Sequence, residues 1–151
     1  MPLHRLYHEQ VVPAPIEEVF PFFARPENLA RITPPSMGFR ILTPEPVGMK
    51  DGALIDYTVN GLPGIPMRWT TLITSCEPPH RFVDVQLRGP YAYWHHTHRF
   101  ESVEDGTRLT DEVLYMLPLG ALGEIAHRLF VRRMLKTIFD YRREVIQRRF
   151  G

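Results

Sequence analysis

The chain has 151 residues, of which 44% are hydrophobic, 23% charged and 11% aromatic, and its formal net charge is +1 at pH 7. A chain of this size buries roughly two thirds of its unfolded surface, so one domain over residues 1–151 with a substantial core is expected; the composition argues against disorder and the charge against a bulk field selecting nucleic acid. No stretch approaches the roughly 20 apolar residues that span a bilayer, and Met1 to His8 lacks an apolar signal core, so a cytoplasmic location is expected.

In chain order, Leu3 to Val12 is a partly alternating run that reads as a first strand, ended by Pro13 and Pro15 because proline removes ladder donors. Pro15 suits a first helical turn, Glu17 and Glu18 complement the positive helix start, and Ile16, Val19, Phe20 and Phe23 recur at helical spacing. Pro26 interrupts that helix, and Glu27 to Ile32 makes a second short one that Thr33, Pro34 and Pro35 stop. The two form an elbow.

From Phe39 to Leu117 the hydrophobic period changes to two. Strands are expected over Phe39 to Thr43, Ala53 to Asn60, Met67 to Cys76, Arg81 to Leu87, Tyr93 to Glu101 and Thr107 to Leu117. The separators carry turn chemistry: Gly48 to Gly52, Gly61 to Gly64, Pro78-Pro79, Gly89-Pro90 and Asp105-Gly106. Connections this short imply antiparallel neighbours. Cys76 has no second cysteine to pair with and reads as a core thiol.

After Pro118 the helical period returns. Leu122, Ile125, Ala126, Leu129, Phe130, Met134, Leu135, Ile138, Tyr141 and Val145 give a wide apolar stripe on the longest helix. Over residues 128–149, Arg128, Arg132, Arg133, Lys136, Arg142, Arg143, Arg148 and Arg149 set eight cations against Asp140 and Glu144, which leaves that stretch near +6 and the remainder of the chain near −5. Gly120 and Gly123 let its start pack closely or flex as a gate. The layer rules favour an α+β sandwich of one curved sheet and one long helix.

This order, and Pro15 to Phe23 with Pro26 to Pro34 in particular, resembles the helix-grip fold of the START-like superfamily, also called SRPBCC or polyketide cyclase/dehydrase. Phe82 to Gln86, Gly89-Pro90, Trp94 to Phe100 and Thr107 to Tyr115 followed by Pro118 resemble a branch of small single-domain bacterial members. The resemblance implies a seven-stranded antiparallel sheet wrapped around the C-terminal helix, two short helices between strands one and two, and a deep cavity for lipids or other apolar molecules. A minority of such proteins catalyse, and the branch implies no particular reaction.

Side-chain alternation sharpens the expected site. Phe82, Asp84 and Gln86 share one face with Trp94, His96, His98 and Phe100 and with Leu109, Asp111, Val113 and Tyr115; Trp69 and Thr71 extend it from the preceding strand. Counting from the hairpin turns puts Asp84 opposite His96 and Asp111 near His98, with a slip of two residues as the alternative. Buried polar groups need partners, so these four should form a network, either as structural glue or as the polar end of a ligand pocket. Trp69, Thr71, Asp84, Gln86, Trp94, His96, His98, Asp111, Tyr115 and Phe23 are the candidate ligand contacts. Zinc at His96, His98 and a carboxylate rests on a weak spacing signal, and no metal is expected. His95 falls on the opposite, solvated face.

Three functions compete. The first is a non-catalytic carrier, sensor or store for a lipid, quinone, polyketide or aromatic metabolite. The second is a cyclase or dehydratase, with His96 or His98 and Asp84 or Asp111 moving protons. The third is a module that meets a membrane, at most transiently, or a partner through the basic helix. With no phosphate-cradling glycine loop, nucleophile elbow, paired cysteine motif or calcium loop, neither a cofactor nor a nucleic-acid partner is expected.

Overall fold

The computed structural model describes residues 2–44, 48–62 and 64–151. Strand β1 (His4–Val12) ends where the Pro13 to Pro15 segment withdraws donors, and helix α1 (Ile16–Phe23) starts from an extended Pro15. The second helix of the elbow is a tighter 3-10 segment, Pro26–Ile32, followed by a 3-10 turn at Pro35–Met37. Asn28 donates to the Phe22 carbonyl (2.8 Å) and the Thr33 hydroxyl to the Leu29 carbonyl (2.6 Å), which closes the bend.

Among the described residues six more strands follow: β2 (Arg40–Ile41), β3 (Leu54–Leu62), β4 (Ile65–Glu77), β5 (Arg81–Arg88), β6 (Tyr93–Val103) and β7 (Gly106–Met116). They form a single antiparallel sheet in the order β1-β7-β6-β5-β4-β3-β2. β2 is shorter than its expected span, Phe39 to Thr43. The amides of Leu42 and Thr43 converge on one acceptor, the Asp56 carbonyl (2.8 and 3.3 Å), while the Asp56 amide donates to the Thr43 hydroxyl (2.7 Å), so regular pairing stops. The turn expected at Gly61 to Gly64 includes Pro63, which lies outside the described residues. Gly106 adopts φ +140° beside the Val12 carbonyl, where any Cβ would collide, so the β6–β7 hairpin requires glycine.

The C-terminal helix runs from α2 (Gly120–Ala126) through a widened π turn (His127–Val131) into α3 (Arg132–Phe150). Its buried line is Gly123, His127, Val131, Leu135, Phe139, Arg142 and Ile146. This corrects the expected stripe, because Leu122, Ile125, Leu129 and Phe130 are exposed. The π turn explains the shift: successive buried positions from Gly123 to Phe139 fall four apart, a longer step than the 3.6 of a regular helix. The Gln10 amide donates to the Arg143 carbonyl (2.9 Å) and ties β1 to α3. Among the described residues no helix is long and apolar enough to cross a membrane.

Two apolar clusters fill the grip. One gathers α1 with Phe82, Phe100, Leu109 and Ile146; the other gathers Trp69, Tyr91, Trp94, Val113 and Leu117 against Leu135 and Phe139. On β6, Trp94 belongs to one cluster and Phe100 to the other. His96 and His98 therefore sit between them.

Candidate functional site

The polar gap between the clusters holds four strand residues and one from the helix. Asp84 lies opposite His96 and His98 opposite Asp111 in the sheet, as counting from the turns predicts. The hydrogen bonds run diagonally, however. His98 Nε2 donates to Asp84 Oδ2 (2.6 Å) and His96 Nε2 to Asp111 Oδ1 (2.7 Å), since an ionised carboxylate can only accept. The remaining ring nitrogens face the opposite carboxylates, His96 Nδ1 at 3.8 Å from Asp84 and His98 Nδ1 at 3.4 Å from Asp111. The imidazoles stack at 3.6 Å, and Phe82 stacks on His98 at 4.0 Å.

The fifth member is Arg142 of α3, only 7% exposed. Its guanidinium lies 3.7 Å from Asp111 and 5.6 Å from the centres of the Phe23 and Phe139 rings. Sequence reasoning counted Arg142 with the solvated cations, and the structure corrects that. Its signal was available, because Leu135, Phe139, Arg142 and Ile146 keep a helical spacing of four, three and four.

Burial alone would raise the Asp111 carboxyl, but Arg142, then the hydrogen bond from His96, hold it well below the usual carboxylate range. Asp84 is likewise lowered against its burial, first by the His98 hydrogen bond and then by the charges of His96, His98 and Arg142. His98 is held down to about 4, first by burial and then by His96. The two carboxylates, the two imidazoles and the guanidinium turn their polar atoms on one another, which makes this an internally bonded group.

An apolar cavity of about 420 Å³ opens above the group, walled by Tyr57, Val59, Trp69, Trp94, Leu117 and Leu135. A smaller one of about 100 Å³ adjoins it under the elbow, with Phe23, Ile55, Thr71 and Phe82 on its walls. Both touch Tyr57, His96 and Arg142. Two buried donors here, Trp69 Nε1 and Arg142 Nε, have no hydrogen-bond partner among the described residues. Leu119 and Leu122 line the larger cavity while 76% and 68% exposed, so they form its rim.

Of the candidate contacts, Trp69, Trp94 and His96 line the larger cavity, and Phe23, Thr71, Asp84, His96 and His98 line the smaller. Asp111 lies behind the histidines, in a crevice shared with His98 and Arg142. Gln86 and Tyr115 line neither cavity. The Gln86 amide brackets the main chain of Tyr91 (2.8 and 3.0 Å) and shapes the β5–β6 turn, while Tyr115 meets His127 (2.8 Å) beside an outer groove. Sequence reasoning missed Tyr57, Leu117 and Phe39, all cavity wall. Asp84, His96 and His98 offer ligand atoms within 4.8 Å of one another, in a group that already holds the cationic Arg142 at 3.7 Å from Asp111.

The family model for polyketide cyclase/dehydrase and lipid transport matches residues 12–139. No curated protein matches by sequence. Among solved structures the chain is similar to TTHA0849 from Thermus thermophilus (TM-score 0.75, 17% identity, 97% of each chain covered). It is also similar to major latex-like protein 151 from Panax ginseng (TM-score 0.71, 10% identity, 99% of this chain and 98% of that one). Protein Ms6760 from Mycobacterium smegmatis is a further neighbour (TM-score 0.67, 17% identity, 94% of this chain and 90% of that one). At these identities the likeness shows the fold.

Proposed function

The chain belongs to the polyketide cyclase/dehydrase and lipid transport family, and on that premise we propose that it binds one small, largely apolar molecule carrying an acceptor oxygen, as a carrier, sensor or store. The carrying observation is the apolar cavity of about 420 Å³ whose walls hold two unpartnered donors, Trp69 Nε1 and Arg142 Nε. Ligand sites commonly combine hydrophobic walls with a few placed polar groups, and a cavity of this volume suits a lipid chain, quinone, polyketide or aromatic metabolite. An orphaned buried donor costs about 1–3 kcal/mol, which an oxygen of the ligand would recover.

Binding is favoured over proton transfer by the same geometry. Every ring nitrogen of His96 and His98 faces a carboxylate within the group, which leaves none turned to a substrate in the cavity. The test is titration with cis-parinaric acid, a fluorescent polyene carboxylic acid, alongside its methyl ester. Saturable one-to-one binding of the acid, weakened about tenfold by Trp69→Phe or Arg142→Met, is expected; tenfold corresponds to about 1.4 kcal/mol. Absence of binding, or equal binding by wild type and both variants, would sink the reading.

A second reading joins the first. The rim residues Leu119 and Leu122, with the exposed Ile125, Leu129 and Phe130 and the cations Arg128, Arg132 and Arg133 further along the helix, suit transient contact with an anionic membrane from which an apolar cargo is collected.

A further inference from the structure

Outside the cavity, on the far side of the helix that forms its rim, β1 and the C-terminal helix bring together His4, Glu124 and His127. We propose that these three residues form a site for a divalent transition metal of the zinc class, clamping β1 to the start of the C-terminal helix. Glu124 and His127 lie three apart on the helix, a spacing that stacks side chains on one face, and each of the three offers a ligand atom within 4.8 Å of the others. His4 Nε2 already lies 3.0 and 3.1 Å from the two Glu124 oxygens, and the His4 and His127 rings stack at 3.7 Å.

The surroundings supply what metal-bound imidazoles usually have. His127 Nε2 is 2.8 Å from the Tyr115 hydroxyl; with its proton donated to that oxygen, Nδ1 keeps a free lone pair, and the ring is held in place. Tyr115 sits opposite His4 in the β1–β7 ladder, so one strand pair fixes both the ligand and the orienting hydroxyl. His127 is buried, whereas the His4 and Glu124 side chains are about one fifth exposed, which gives an ion access from the groove outside. The π turn begins at His127, and such turns often mark functional positions.

Two imidazoles and one carboxylate form the donor set of three-ligand zinc sites, with a fourth position left to water. The groove also carries Arg5, Arg132 and Lys136, of which Arg5 pairs with Glu112 (2.8 Å) and Lys136 with Asp140 (2.6 Å). One carboxylate against the remaining cation favours metals that bond imidazole strongly and disfavours calcium and magnesium, which want several oxygens. Since Leu122, Gly123 and Ala126 of the same helix turn line the cavity, a bound ion would also hold the cavity wall in place.

The experiment is titration of untagged protein with Co²⁺, read by its visible absorption bands. One equivalent should bind, Zn²⁺ should displace it, and Ca²⁺ and Mg²⁺ should not. His4→Ala and Glu124→Gln should abolish the bands, Tyr115→Phe should weaken binding roughly 10–100-fold, and Asp84→Asn, at the buried group, should leave it unchanged. No Co²⁺ bands in the wild type, bands that persist in both His4→Ala and Glu124→Gln, or bands lost only in Asp84→Asn would each overturn the proposal. Circular dichroism of His4→Ala, altered on a strand at the sheet edge, shows that any loss is not unfolding.

Discussion

At Asp111 three interactions converge: the hydrogen bond from His96, the charge of Arg142 and the ring of His98. Removing its charge leaves Arg142 buried without its nearest anion. Breaking a buried pair from one side costs about 3–5 kcal/mol, so Asp111→Asn should lose stability of that order in urea unfolding, while Asp111→Asn with Arg142→Met should recover part of it. The group also fixes a pH dependence. His98 is depressed from 6.5 to about 4, so between those values the unfolded chain takes up a proton that the folded chain refuses. Its contribution is therefore complete above pH 6.5 and lost as pH falls towards 4; His8 and His127, both lowered first by burial, act in the same direction. The lowered Asp84 and Asp111 contribute above their ordinary value near 3.8 and lose that contribution below it. Thermal unfolding should accordingly occur at lower temperature at pH 5 than at pH 7, and a flat profile would contradict a neutral buried His98. The four strand residues were legible because alternation assigns faces without knowledge of partners. Their diagonal bonding was not, since register pairs backbones and leaves rotamers open.

The elements differ in how openly the chain states them. Strands β3 to β7 follow from period two bounded by glycine and proline, a local signal that the sheet then obeys. The C-terminal helix was legible as a helix but not in phase, because its π turn is placed by contacts from elsewhere: Tyr115 and His4 hold His127, and nothing in the spacing of Leu122 to Phe130 reports them. The start of that helix is equally constrained. Leu119 adopts φ +68° and Gly120 φ +53°, a left-handed pair that turns the chain from β7 into α2, and a Cβ on Gly123 would run into the Pro118 carbonyl. Gly123→Ala should thus push the helix start off the strand end and cost about 1–3 kcal/mol, the usual range for overpacking. Because Gly123 lines the cavity, the same variant should change the release rate of a bound fluorophore, whereas Leu119→Gly should relieve strain and raise the unfolding temperature. Calorimetry checks both signs; a Gly123→Ala protein as stable as wild type would show that the helix start is not tightly seated.

Over the whole molecule the near-zero net charge conceals an uneven distribution, with the C-terminal helix strongly cationic and the remainder anionic. Arg142 aside, that helix turns its cations outward, and on its first half they flank large exposed apolar side chains instead of the expected core stripe. An apolar rim on a cavity has a cost in water that a membrane surface would remove, and each arginine near an anionic leaflet adds about 1 kcal/mol of attraction. The combination leads to a joint prediction. Wild-type protein should sediment with phosphatidylcholine vesicles containing phosphatidylserine, and not with phosphatidylcholine alone. Ile125→Asp with Phe130→Asp should abolish sedimentation at any ionic strength, because it removes the inserting surface, whereas Arg128→Gln with Arg133→Gln should weaken it most at low salt, where charges are least screened. Both residue pairs are exposed, so fold and cavity should survive the changes, and one-to-one binding of parinaric acid from solution should persist. Sedimentation that ignores phosphatidylserine, or that survives the aspartate substitutions, would detach the rim from the membrane while leaving the cavity reading intact. Loss of parinaric acid binding by the aspartate variant would instead show that the rim belongs to the ligand site itself.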